Sequence, residues 1–291
     1  VNYGIALSGD EQWLTTTGWR LMFLSEVIPA SCLLLLIFCV PESPRWLVMK
    51  GQDRRAAAIL RRVDPATDTD AEVRDIRRSL AGSVRSKLFS YGAAVIVIGV
   101  LLSVFQQFVG INVVLYYAPE IFRNMGMGTN AALAQTIIVG VINLSFTVLA
   151  IFTVDRFGRK PLMIIGSLGM AVSMVTLGLT FYTQHMGWLS LAAMLCYTAS
   201  FAMSWGPVCW VLLAEIFPNS IRSTVMSIAV AAQWIANFSV SWTFPMLDKN
   251  QYLTDTFNHG MAYWIYGVMG RQAVGRRLLD RFEAGRRPAE G

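Results

Sequence analysis

The stretch Val95-Ile-Val-Ile-Gly-Val-Leu-Leu-Ser-Val-Phe-Gln-Gln-Phe-Val-Gly-Ile-Asn-Val-Val-Leu-Tyr-Tyr117 holds no charged residue, yet it carries the side-chain amides of Gln106, Gln107 and Asn112. At about 1.5 Å per residue it is long enough to cross a hydrocarbon core of about 30 Å as a helix. An amide has two donors and an acceptor with two lone pairs, and none of them finds water in hydrocarbon. These groups therefore need partners, either on neighbouring helices or on a polar ligand that passes through the membrane. An unbroken helix would point Gln107 and Asn112 about 140° apart. Gly110, lying between them, can loosen the helix.

The rest of the chain agrees with a membrane setting. Of 291 residues, 55% are hydrophobic and only 14% charged, against about 25% charged in a soluble domain. Tryptophan and tyrosine, nine of each, suit the belts at membrane interfaces. The four cysteines, Cys32, Cys39, Cys196 and Cys209, all fall inside apolar spans with no Cys-x-x-Cys spacing. They are expected to be buried thiols acting as small hydrophobes, not a disulfide framework or a zinc site. The net charge of +6 does not point to nucleic acid, because the basic residues cluster between spans, which is a topology signal.

Six apolar spans are expected at about 20–40, 93–117, 131–154, 161–183, 190–213 and 225–246. A seventh begins near Gly260 and meets Arg271 after too few apolar residues to cross a bilayer. The loop 41–92 is rich in arginine. Arg156, Arg159 and Lys160 follow two spans later, and Arg222 two spans later again. The positive-inside rule puts these loops in the cytoplasm and residues 1–17 outside. Within 41–92, Arg54–Arg62 and Ala71–Leu80 place apolar residues at three-to-four spacing and predict short amphipathic helices, the second capped by Thr69 or Asp70. A solvated structural loop is the expected role. The first polar stretch runs straight into a span and Val1 is no initiator Met, so the chain reads as a piece of a longer protein.

The turn Asp155-Arg-Phe-Gly-Arg-Lys-Pro-Leu162 pairs Gly158, suited to a tight turn, with Pro161, suited to the first turn of the next helix. Asp155 sits at a helix C-terminus, where a carboxylate is unfavourable unless cations compensate. Arg156, Arg159 and Lys160 can supply them. Glu215-Ile-Phe-Pro-Asn-Ser-Ile-Arg222 and Pro41-Glu-Ser-Pro-Arg45, with Glu42 and Arg45 as acid and base, also put opposite charges at the inner ends of spans. Together these clusters offer a ring of breakable ion pairs. Gln233, Asn237 and Ser241 form one polar stripe at i, i+4 and i+8. Gly206-Pro207 predicts a local break in mid-membrane, tolerated beside a cavity.

Asp155-x-x-Gly-Arg-Lys160, Pro41-Glu-Ser-Pro-Arg45, Phe105-Gln-Gln-x-x-Gly-Ile-Asn112 and Gly206-Pro-x-x-Trp210 occur together, in order. In this the chain resembles the sugar-porter branch of the major facilitator superfamily. The resemblance implies an all-α, polytopic membrane protein: helix six, a cytoplasmic helical loop, and the C-terminal six-helix half of a twelve-helix fold. It implies that Gln106, Gln107, Asn112 and Asn143 line a sugar pocket with Trp210 and Gln233, Trp234 and Asn237 lying near. It assigns Asp155, Arg156, Arg159, Glu215 and Arg222 to an inner gate, and Tyr116 and Tyr117 to the closing of an outer one. The chemistry is apt, because amides both donate to and accept from hydroxyls, and an aromatic face suits the C–H side of a pyranose. The implied partners are a monosaccharide, the bilayer and the missing N-terminal half, with no cofactor and H+ as coupling ion.

Two departures accompany the resemblance. Helices one to five, with the proton-coupling carboxylate of helix one, are absent. Glu26 is the remaining plainly intramembrane acid, near the outer end of its span. After Gly270 the residues 271–291 abandon the family pattern for a basic tail, expected to be a frameshift or an amphipathic surface helix. Facilitative uniport and non-transporting sugar sensing are the rival functions. The spans offer no Ser-His or paired-acid constellation for an enzyme.

Overall fold

A computed structural model describes residues 1–66, 68–83, 93–217 and 221–273. The expected tail helix, part of the basic loop and Pro218–Ser220 of the Glu215–Arg222 cluster lie outside them. Among the described residues the chain is helical, with no strand. It forms two compact units, Val1–Ser90 with Pro218–Ile221, and Tyr91–Phe217 with Arg222–Gly291.

The first unit holds α1 (Asn2–Ala6), α2 (Glu11–Trp13), a π-helical turn (Leu14–Gly18), α3 (Trp19–Ser25), α4 (Val27–Ile37), α5 (Pro44–Met49), α6 (Asp53–Val63) and α7 (Thr69–Ser83). Elements from α2 to α4 make one near-continuous apolar helix, Glu11–Ile37, which starts earlier than hydropathy alone suggests because Asp10 caps it by accepting from the Trp13 N–H at 2.8 Å. Pro29 cannot donate to the Ser25 carbonyl, and the helix is interrupted at Glu26, next to that carbonyl. Glu26 itself is exposed. The α5–α7 cluster closes over Leu47, Val48, Ala56 and Val73, as the apolar spacing predicts. Its second cap is neither Thr69 nor Asp70. Asp68 does that work, accepting from the Asp70 and Ala71 N–H groups at 3.1 Å each, since only a residue before the first turn faces the free amides.

The second unit holds α8 (Ala93–Phe108), α9 (Ile111–Tyr116), α10 (Ala118–Asn124), α11 (Thr129–Phe157), α12 (Arg159–Tyr182), α13 (Trp188–Met203), α14 (Trp205–Ile216), α15 (Arg222–Asp248), α16 (Gln251–Phe257) and α17 (Gly260–Ala273). Across the described residues six helices are long and apolar enough to span a membrane, matching the six spans read from sequence. The seventh segment is α17, fourteen residues too short to cross but folded against α12, with Ala262, Tyr263 and Tyr266 buried.

Helix α12 shows how such a bundle packs. Its Ile165, Leu168, Val172, Val175 and Leu179 are exposed on one side, while Met163, Ser167, Met170, Met174, Leu177 and Phe181 are buried on the other. Lipid is as apolar as leucine, so helices associate through close fit and small residues. Cys32, Cys39 and Cys196 are accordingly exposed, and of the four only Cys209 is buried. The expectation of buried thiols fails because an apolar group gains little by leaving hydrocarbon for protein. Gly166 is the closest approach: a Cβ there would lie 1.8 Å from Ser204 Oγ and 2.9 Å from the Ser200 carbonyl oxygen. The hydroxyl can rotate away but the backbone oxygen cannot. Gly166→Val should therefore destabilise the bundle by about 1–3 kcal/mol, seen as a lower melting temperature in detergent. An unchanged melt would contradict this packing.

The end of α15 is tied down by a buried acid. Asp248 is 5% exposed and receives His259 Nδ1 at 2.9 Å and Asn124 Nδ2 at 3.4 Å. Thr254 Oγ1 donates to its main-chain carbonyl at 3.1 Å. One residue thus joins α10, α15, α16 and the start of α17.

Candidate functional site: a buried amide cluster

Gly110 breaks the helix that carries the amides. Its φ of +90° lies in the left-handed region, which glycine enters without a Cβ penalty. A Cβ would sit 2.8 Å from Cγ of Tyr266. The break deprives the Val109 carbonyl of its helical donor, and Tyr197 Oη, fully buried on α13, donates to it at 2.7 Å. Freed from the 100° rotation per residue, Asn112 turns back and donates through Nδ2 to Gln107 Oε1. The same Nδ2 reaches Asn237 Oδ1 at 2.9 Å.

Helix α15 supplies the facing stripe. Gln233 Nε2 donates to Gln106 Oε1 at 2.8 Å, and Ser241 Oγ to Asn237 Oδ1 at 3.2 Å. Gln106, Gln107, Gln233 and Asn237 are all buried. From Gln106, Nε2 donates onward to the Trp205 carbonyl at 2.9 Å. That carbonyl stands at the start of α14, where the helix is broken as Gly206-Pro207 suggests, but at Ser204 (φ −127°, ψ −85°). The displacement follows from proline's reach: its ring crowds the carbonyl four residues back, here Met203. Trp205 is buried, and its Nε1 donates to Ser167 Oγ at 2.6 Å.

The amides therefore serve as links between helices and as a polar surface at once. Their mutual bonds leave one gap: Gln233 Oε1 is buried with no hydrogen-bond partner among the described residues. A hydroxyl is the complementary donor. Trp210 on α14 is 40% exposed and Trp234 on α15 63%, so each has ring surface free for a ligand or another helix. Asn143 is half-buried on α11. No hydrogen bond joins its side chain to the cluster among the described residues, and its carbonyl accepts from Thr147.

Of the two tyrosines expected at an outer gate, Tyr116 is exposed, while Tyr117 Oη donates to the Ser241 carbonyl at 3.2 Å. Pro245 explains why that carbonyl is available, since a residue four positions on would normally donate to it and proline cannot. The Tyr117 ring also lies against Phe244, with centroids 5.1 Å apart.

At the turn between α11 and α12, Gly158 has φ +82°. Arg159 bridges Asp155 at 3.3 Å and Glu215 at 2.8 Å, joining α12 to the ends of α11 and α14. Arg156 is exposed, and of the cations expected to compensate Asp155, Arg159 is in an ion pair with it. Arg222 donates through Nε to the Phe217 carbonyl at 3.1 Å, not to an acid among the described residues. In the first unit Glu42 and Arg45 are exposed, with no ion pair between them. Of the expected ring of pairs, the clasp of Arg159 on Asp155 and Glu215 is formed. Arg159→Gln should cost at most about 1 kcal/mol, because partly exposed pairs contribute little. A thermal melt shifted by more than a few degrees would contradict that.

Sequence reasoning passed over Trp205, Tyr197 and Ser167. Tyr197 serves the carbonyl that the break at Gly110 releases, whereas Trp205 and Ser167 meet side chain to side chain across two helices, and a proline or glycine near an aromatic is too common a signal to find them.

A membrane bundle whose interior presents a cluster of neutral amides is the architecture of a solute carrier. Residues 1–274 match the family described as sugar (and other) transporter. The chain belongs to that family, a family of transporters and not of enzymes. It is 61% identical over 272 residues to the D-xylose-proton symporter of Escherichia coli K12, covering 93% of this chain and 55% of that protein. It is 43% identical over 281 residues to the glucose facilitated diffusion protein of Zymomonas mobilis, covering 96% and 59%. Among solved structures it matches the proton:xylose symporter XylE of the major facilitator superfamily bound to 6-bromo-6-deoxy-D-glucose, with TM-score 0.81, covering 94% of this chain and 58% of that one. The inward open conformation of XylE from E. coli matches with TM-score 0.76. The chain thus spans a little over half the length of the relatives it matches.

Proposed function

We propose that this chain forms helix six and the C-terminal half of a carrier that moves D-xylose or a related monosaccharide across a bacterial inner membrane by alternating access, coupled to H+. The observation that carries the reading is the convergence of Gln106, Gln107, Asn112, Gln233 and Asn237 on one buried cluster. Neutral amides meet the donors and acceptors of a sugar rim without a charge that would hold it too tightly. Trp210 offers a face to the sugar's C–H side, and Trp234 and Asn143 extend the lining. Tyr116 and Tyr117 form the outer gate. Asp155, Arg156, Arg159, Glu215 and Arg222 form the inner one.

Alternating access needs two halves rocking about the site. The partner is therefore the remainder of the transporter, which also brings the proton-coupling acid. The identity to the glucose facilitated diffusion protein supports a second reading, uniport on the same pocket. Vesicles containing this chain alone should not accumulate labelled D-xylose, whereas vesicles that also contain the remaining helices should. A pH gradient should drive that uptake if symport holds and leave it unchanged if uniport does. Quenching of tryptophan fluorescence by D-xylose should be lost in Trp210→Phe. Full quenching retained in that variant would remove Trp210 from the site.

A further inference from the structure

We propose that α6 docks on the anionic phospholipid headgroups of the membrane face beside which it is suspended. Helix α6 carries Arg54, Arg55, Arg61 and Arg62. Residues seven apart on a helix nearly eclipse, so the four guanidiniums occupy one arc of about 120°. The opposite side of the helix is committed elsewhere: Ala56 is fully buried in the core shared with Leu47, Val48 and Val73, and Ile59 and Leu60 pack against it.

All four arginines are exposed. Among the described residues, Arg55 Nη1 reaches the neutral Gln52 Oε1 at 3.1 Å, and none of the four is in an ion pair. Of the acids nearby, Asp53 pairs with Arg77 and Asp75 with Arg78, both on α7, and Asp64 accepts from the Ala66 N–H through Oδ1. The arc therefore keeps its full positive charge.

Its position follows from the chain. The apolar span ends at Ile37 and α5 begins at Pro44, a tether of no more than about 25 Å at ~3.5 Å per residue. α5 and α6 share one core, so α6 is kept within about one tether length of the span's end. α5 also exposes Trp46 and Met49, with Lys50 over the Trp46 ring at 5.7 Å, side chains that favour the headgroup level. Phosphate is the group a guanidinium binds in bidentate fashion. The inner leaflet, where loop charge places residues 41–92, is the source of anionic lipid.

The test uses the chain as it stands, in nanodiscs of phosphatidylcholine or of phosphatidylcholine with one quarter phosphatidylglycerol, followed by hydrogen–deuterium exchange of residues 53–63. We expect exchange about tenfold slower with the anionic lipid, with the difference abolished by 0.5 M NaCl because such contacts are screened. The variant Arg54→Gln/Arg55→Gln/Arg61→Gln/Arg62→Gln should show no lipid dependence while α11 and α12 exchange as in wild type. The salt titration needs no variant and decides the matter if that one misfolds. Equal exchange in the two lipids, protection that survives high salt, or equal protection in pure phosphatidylcholine once the remaining helices are added would each overturn the proposal, the last by making protein the occupant. Sugar transport enters none of these readouts, so the outcome is independent of the proposed function.

Discussion

Gly110→Val is expected to abolish most of the sugar affinity of the assembled carrier. Two costs combine at this position. The φ of +90° is one that a β-branched residue rarely adopts, and holding such a backbone costs about 1–3 kcal/mol. The new Cβ would also stand 2.8 Å from a ring carbon of the buried Tyr266. Relaxation by straightening the helix is no escape, because it turns Asn112 about 140° away from Gln107 and breaks its bond to Asn237. A loss of about 2–3 kcal/mol corresponds to a Kd for D-xylose raised roughly 30- to 150-fold, measurable by fluorescence titration. The two costs are separable. Tyr266→Ala placed with Gly110→Ala should recover the steric part and not the backbone part. Wild-type affinity in Gly110→Val would show that the break does not organise the site.

His259→Ala should have the largest effect on stability. Asp248 is 5% exposed, and its shortest side-chain bond, at 2.9 Å, comes from His259. A hydrogen bond to a charged group contributes about 1.5–3 kcal/mol, and leaving a buried acceptor unmet costs a similar amount. The melting temperature of the detergent-solubilised chain should fall by about 5 °C. His259 holds φ +67°, a region where asparagine is also tolerated. His259→Asn, which restores a donor and suits the backbone, should recover part of the loss. A melt for His259→Ala within a degree of wild type would mean that water replaces the imidazole at no cost.

These two residues mark different limits of sequence reading. Gly110 was legible as a point of weakness because amides on either side of it had to converge and a regular helix would not let them. Asp248 and His259 were not legible as a pair. They are eleven residues apart on separate elements, and neither the acid at a helix end nor a histidine in an outer loop signals that one will be buried against the other. The same holds for Tyr117, whose partner is a carbonyl bared by Pro245 on a helix more than a hundred residues away. It holds too for the cysteines, where an interior expectation suited to water failed beside hydrocarbon.

By itself the sequence determined the class of fold, the spans and the amides that had to find partners. Bilayer thickness sets a span's length, hydrocarbon excludes unpaired charge, and polar groups stranded in an apolar run need partners, all local and one-dimensional constraints. Only the tertiary structure decided which amide meets which, that the α13–α14 break falls at Ser204, and that Arg159 clasps both Asp155 and Glu215. Those outcomes depend on which backbone groups the breaks release and on which side chains from distant helices stand within about 3 Å of them, the distance at which a hydrogen bond is made or lost.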